Sequence, residues 1–266
     1  MAQGQEGLVS TTQCSLAGLS NDRLATLVRS GRWVRVCRGV YDVRSGVAPA
    51  GGTSARDLDA DRRRSAWIAL LAFGSEAISV GPCALALHGV AGLPLRIAPQ
   101  AALPRARGGW SHDGVRLRRF DNGMRVLPFR GRHVAAVEWA IAQAVPELPR
   151  GNAVAVMDAA LFSGLIDRRG LDAARRIARG RRGVAARYEC WGLVDSRAES
   201  PLETFGRLEC VDAGVPPDEL QVPLLDAAGR IIGRGDMGWR LGPGRWLIAE
   251  MDGRQWHETP DALLRD

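Results

Sequence analysis

The chain has 266 residues, enough for one large domain or two to three small ones. Hydrophobic residues make up 46% and charged residues 24%, the balance of a folded water-soluble chain, and the longest apolar runs, such as Ala66 to Phe73, fall far short of the ~20 residues that span a bilayer. The formal net charge is +7, and all 36 basic residues are arginine.

The charge is unevenly spread. Six arginines stand against three acids in residues 1–50, 22 against 12 in residues 51–190, and eight against 14 in residues 191–266. A basic body of this kind suits a polyanionic partner, most simply nucleic acid, while the acidic C-terminal third reads as a separate module. The five cysteines are scattered and form no C-x-x-C pair, which argues against a disulfide framework or a zinc site. With no secretion leader at the start, a cytoplasmic location and no membrane partner are expected.

The first fifty residues punctuate themselves. Thr11 or Thr12 can cap a short helix ending at Gly18, and Ser20 is a good N-cap for a second helix carrying Leu24, Leu27 and Val28 on one face. Gly31 stands where a helix-ending glycine belongs. The stretches "RWVRV" and "GVYDV" then alternate about a turn at Arg38-Gly39. Helix, turn, helix and two-stranded wing is a winged helix-turn-helix pattern.

The second helix of such a module lies in the major groove. Its outward positions include Asn21, Arg23, Thr26, Arg29 and Ser30, residue types that hydrogen-bond base edges or phosphates. Arg32, Arg35 and Arg38 on the wing can grip the backbone or minor groove. The stretch "LVRSGRWVRVCRGVYDV", with its "SGRW…RGVY" signature, resembles the N-terminal domain of AbiEi-type antitoxins of type IV toxin–antitoxin systems. That resemblance covers roughly residues 8–45. It implies a winged helix that binds its own promoter in double-stranded DNA, and a nucleotidyltransferase-like toxin as partner.

Residues 44–65 read as a linker running into a helix that ends at Gly74. A second helix starts near Pro82 and carries His88 near its end. His88 stands alone among apolar neighbours, which reads as a structural histidine. "GVRLRRF" and "GMRVLPF" form a β-rich patch. Helices follow in "VAAVEWAIAQAV", "GNAVAVMDAALFSG" and "DRRGLDAARRIARG". Five arginines between Arg175 and Arg182 are either a solvated helix end, well placed for the helix dipole, or a patch that contacts phosphates. The middle region also resembles the scaffold that follows the winged helix in AbiEi-like proteins.

The acidic third opens on a helix start at Ser200-Pro201, with Glu203 at the third helical position, the pattern of a capping box. Two strands flank the turn Asp226-Ala-Ala-Gly229. A third, "RWLIAEMDG", is apolar through Ile248 and Ala249, which predicts a central strand. Thr259 and Pro260 then start a helix. "SPLE", "GRGD" and "AEMDG", in that order, resemble the PD-(D/E)xK nuclease core, closest to small domains related to very-short-patch-repair endonucleases. The resemblance covers roughly residues 196–266. It implies Mg²⁺ held by Asp236 and Glu250, with Glu203, Asp252 and His257 completing the catalytic set. All-oxygen ligation suits Mg²⁺, and a histidine can move a proton. Asp252 stands where the usual catalytic lysine belongs, and the chain stops at Asp266 where relatives continue, so a trimmed or truncated core is expected.

The expected fold class is therefore multidomain α/β (α+β). A winged helix-turn-helix occupies residues 1–48, a mixed α/β basic region residues 49–195 and a restriction-endonuclease-like core residues 196–266. Two functions compete: a DNA-binding regulator of AbiEi antitoxin and repressor type, and a Mg²⁺-dependent DNA endonuclease delivered by the winged helix.

Overall fold

The computed structural model describes residues 2–44, 57–104 and 113–251. The chain divides into two compact units. The first comprises Met1–Gly89 and Leu95–Ala140, the second Val90–Pro94 and Ile141–Asp266.

In the first unit, β1 (Leu8–Ser10), α1 (Thr11–Leu16), α2 (Asn21–Arg29), β2 (Val34–Cys37) and β3 (Val40–Asp42) build an antiparallel sheet in the order β1-β3-β2 with its two helices. Leu8, Cys14, Leu24, Leu27, Cys37 and Val40 close its core. The cap of α1 is Ser10, not a threonine: its side chain accepts from Gln13 N–H while the Gln13 side chain accepts from Ser10 N–H, a reciprocal capping box. Ser20 caps α2 as its position predicts, accepting from Arg23 N–H. Gly31 at φ 72° and Gly39 at φ 76° take the left-handed backbone that the helix end and the wing turn require.

Helix α3 (Leu58–Phe73) is capped by Asp57 and buries Trp67 and Leu70. It packs against this small sheet, and its arginines tie the two together: Arg63 pairs with Glu6, and Arg64 donates to Asp42 and to the Glu6 carbonyl. A five-stranded mixed sheet completes the unit. It contains β4 (Ile78–Ser79), β5 (Gln100–Ala102), β6 (Arg116–Arg118), β7 (Val126–Phe129) and β8 (Arg132–Ala135), in the order β6-β5-β4-β8-β7, with α4 (Gly81–Leu87) after β4. Strands β6 and β7 match the β-rich patch, but they lie at opposite edges of the sheet. Strands β4, β5 and β8 are two to four residues long, too short for alternation to declare them. The helix expected from Val134 begins three residues later, as α5 (Val137–Ala144), because Val134 and Ala135 belong to β8.

The second unit carries α6 (Arg150–Phe162), α7 (Arg168–Ala178) and α8 (Pro201–Asp212), then a meander of β9 (Glu219–Leu225), β10 (Ile231–Gly242) and β11 (Arg245–Ala249). The meander is antiparallel in the order β11-β10-β9. The central strand is thus β10. Strand β11, expected there, pairs only with β10 among the described residues, because a tight turn returns it directly alongside its predecessor. The β9–β10 turn forms as read: Asp226 accepts from Ala228 N–H and Arg230 N–H, and Gly229 sits at φ 76°. Helix α8 packs on α6 and on β10. The approach is close at Gly206, where a Cβ would stand 2.7 Å from Met251 Cε.

Candidate functional site

Helix α2 buries Leu24 and Leu27 and turns Asn21, Arg23, Thr26, Arg29 and Ser30 to solvent. On the wing, Arg32, Arg35 and Arg38 are also exposed. None of these five arginines has a carboxylate partner among the described residues. Thr26 turns its hydroxyl back to Asp22 O at 2.9 Å and accepts from Arg29 Nη2 at 3.4 Å, so two of the outward polar groups already touch. Arg35 Nε lies 3.4 Å from Cys37 O. At the wing turn Asp113, itself at φ 50°, accepts from Arg38 N–H at 2.6 Å. Burial pushes the Cys37 thiol up to about 11, Asp113 adds to that, and Arg35 opposes it. His88, half-buried at the end of α4, places Nε2 2.8 Å from Ala135 O, which suits a structural role.

In the second unit the candidate acids are arranged differently. Glu203 is 6% exposed. Its N–H donates to the Ser200 cap, but its carboxylate does not return to Ser200; Oε2 accepts from Glu199 N–H at 2.9 Å and from Gln221 Nε2 at 2.9 Å. The same Gln221 Nε2 lies 3.4 Å from Asp236 Oδ1, and Asp236 Oδ2 accepts from Met251 N–H at 2.6 Å. One amide therefore bridges the helix acid and the strand acid. Gln221 holds φ 56°, a left-handed backbone uncommon for a non-glycine residue and usually tolerated only where the surroundings enforce it. Gln221 is invisible in the sequence as a site residue, since a glutamine in an amphipathic strand carries no signal of its own.

Glu250 follows the last residue of β11, is exposed, and makes no hydrogen bond to Glu203, Gln221 or Asp236. Its Oε1 stands 3.7 Å from the position a Cβ on Gly235 would take, and that Cβ would run into the Ile248 side chain. Gly235 of the "GRGD" stretch is thus fixed by packing. Asp252 and His257 lie outside the described residues. Among the described residues no group of three His, Cys, Asp or Glu side chains can hold a metal ion. The acids offer the oxygen donors that Mg²⁺ prefers, and in this arrangement Gln221 Nε2 lies between Glu203 and Asp236.

Beneath α8 lies a polar cluster that the sequence hinted at only through one acid in the apolar run of α6. Asp158 is 1% exposed and accepts from Arg207 Nη2, Thr204 Oγ1 and Asp195 N–H at 2.9, 2.9 and 2.8 Å. Burial raises its carboxyl to about 6, against the opposing pull of Arg207 and these donors. Arg207 Nε is buried without a partner.

The small antiparallel sheet, its capped helix pair and the arginine-bearing hairpin are compatible with the winged helix-turn-helix expected from the sequence. Residues 2–42 match the family described as transcriptional regulator, AbiEi antitoxin. Two uncharacterized proteins of Mycobacterium tuberculosis, from strain CDC 1551 / Oshkosh and strain ATCC 25618 / H37Rv, are each 37% identical to this chain over 144 residues, which is 54% of this chain and 52% of theirs. The chain thus spans about half the length of these relatives. No described helix is long and apolar enough to cross a membrane.

Proposed function

We propose that the chain is a DNA-binding transcription regulator of AbiEi antitoxin type, which reads duplex DNA with α2 and the wing. One observation carries this reading: Arg23, Arg29, Arg32, Arg35 and Arg38 are exposed on the helix and wing without carboxylate partners among the described residues. An unpaired guanidinium need not be drawn out of an ion pair before it meets a phosphate or a guanine edge. The family match over residues 2–42 supports the same assignment. A nucleotidyltransferase-like toxin is the partner this type implies. Gel-shift titration against the promoter of the chain's own operon tests the reading. Arg23→Ala with Arg29→Ala should abolish sequence-specific retention, and unchanged retention at physiological salt would overturn the groove assignment.

A second reading, a Mg²⁺-dependent DNA endonuclease using Asp236, Glu250, Asp252, His257 and Glu203, is favoured by the approach of Glu203 and Asp236 to a single amide. Its test is cleavage of supercoiled plasmid with Mg²⁺ or Mn²⁺, lost in Asp236→Ala and in Glu250→Ala. Intact plasmid in both metals would end it.

A further inference from the structure

Helix α7 sorts its residues sharply. Leu171, Ala174 and Ala178 are buried, and the helix packs on α6. At 3.6 residues per turn, Arg168, Arg169, Arg175, Arg176 and Arg179 fall beside the buried face, within a stripe about 120° wide. Four of them are exposed and Arg175 is half-buried, and none has an ion-pair partner among the described residues. Asp172 is the single acid within the stripe. Arg175 lies over the ring of Tyr188, 5.0 Å from its centroid, and that ring is 66% exposed.

Helix stability does not account for this face. Cations in the last turn gain from the helix dipole, which covers Arg175 and Arg176, but Arg168 and Arg169 occupy the first turn, where the dipole opposes them. Like charges along one face also repel. A polyanion removes both penalties at once. The apolar side of α7 is already spent on α6, so the helix has no greasy face to lay into a bilayer. Guanidinium groups match phosphate oxygens in pairs, and a tyrosine ring stacked under Arg175 holds that fork in place.

We propose that the arginine face of α7, with Tyr188 beside it, is a second phosphate-contacting surface for duplex DNA, distinct from the winged helix. This rests on the chain acting on duplex DNA. Such a surface adds affinity for any sequence and gives no discrimination between sequences.

The test is a salt titration of the full chain on a short duplex of unrelated sequence. For every phosphate that an arginine no longer neutralises, the slope of log affinity against log salt falls by about 0.9. Arg169→Ala, Arg176→Ala and Arg179→Ala combined should lower that slope by about 2 to 3, equally for related and unrelated duplexes, with an unchanged melting temperature. The three lysine replacements should restore the slope, because the charge returns. A slope equal to that of the unaltered chain overturns the inference. So does a triple variant that keeps DNA but loses binding to phosphatidylserine vesicles. If the unaltered chain binds no duplex even at low salt, the regulator reading fails along with this one. If Arg23→Ala with Arg29→Ala loses discrimination while the α7 variant matches the unaltered chain, this inference alone fails.

Discussion

The winged helix and the α8–β10 region spend their polar residues in opposite ways. On α2 and the wing, Arg23, Arg29, Arg32, Arg35 and Arg38 point outward without carboxylate partners among the described residues, and the core beneath is apolar. Around α8, charged side chains turn inward and satisfy one another: Asp158 with Arg207, and Glu203 and Asp236 through Gln221. The first arrangement is ready to meet a polyanion at no structural cost. In the second, the groups already hold one another. Substitutions should therefore separate the two regions, with binding lost and stability kept in one, and stability lost in the other.

The greatest contrast should come from Asp158→Ala. It leaves Arg207 buried without its carboxylate, and breaking a buried pair of this kind costs about 3–5 kcal/mol. Urea denaturation should show that loss, whereas Arg23→Ala should stay within about 0.5 kcal/mol of the unaltered chain. Equal effects would erase the distinction between the regions.

The pH dependence of stability should differ next. The folded Asp158 carboxyl is raised to about 6 from 3.8, so the native state holds its proton more tightly than the unfolded chain does. Its contribution to stability is fully present below pH 3.8 and is lost as pH rises through 6. The swing is about 3 kcal/mol. Asp158→Asn should remove that part of the pH slope in denaturation profiles taken between those limits. A slope that survives in the asparagine variant would mean that another group supplies it.

Glu203→Ala should cost about 1–3 kcal/mol, because Gln221 and Glu199 N–H lose a buried acceptor. Ser20→Ala removes the N-cap of α2 and should lower stability by about 1 kcal/mol in thermal melts. Glu250→Ala changes an exposed acid that is tied to neither Glu203 nor Asp236, and it should leave the melting temperature unchanged.

The same contrast explains what could be read from the sequence. The helix pair and the β2–β3 wing are built from contacts close along the chain, while β1 reaches β3 from about thirty residues away. Ser20, Gly31 and the Arg38-Gly39 turn each announce a local event, and the outward residues of α2 follow from the period of the helix. Two departures occur there: Ser10 takes the cap expected of its neighbours, and β1 (Leu8–Ser10) joins the expected two-stranded wing as a third strand through its pairing with β3. The α8–β10 acids are legible as types and spacings, and the strand that carries Asp236 and the Asp226 turn form where expected. Their meeting through Gln221 is not legible. It depends on the packing of α8 against the meander and on an uncommon backbone angle at residue 221, neither of which leaves a periodic trace. The strands β4, β5 and β8 escape for a related reason, since they are defined by partners distant in sequence rather than by their own composition.

Whether α2 and the wing read duplex DNA turns on the affinity of the full chain for its own promoter and for an unrelated duplex, both measured at physiological salt. Binding to the promoter should be tighter, and the difference between the two duplexes should vanish in Arg23→Ala with Arg29→Ala. Equal affinity of the unaltered chain for both duplexes, or a preference that survives the double substitution, would contradict a reading role for α2.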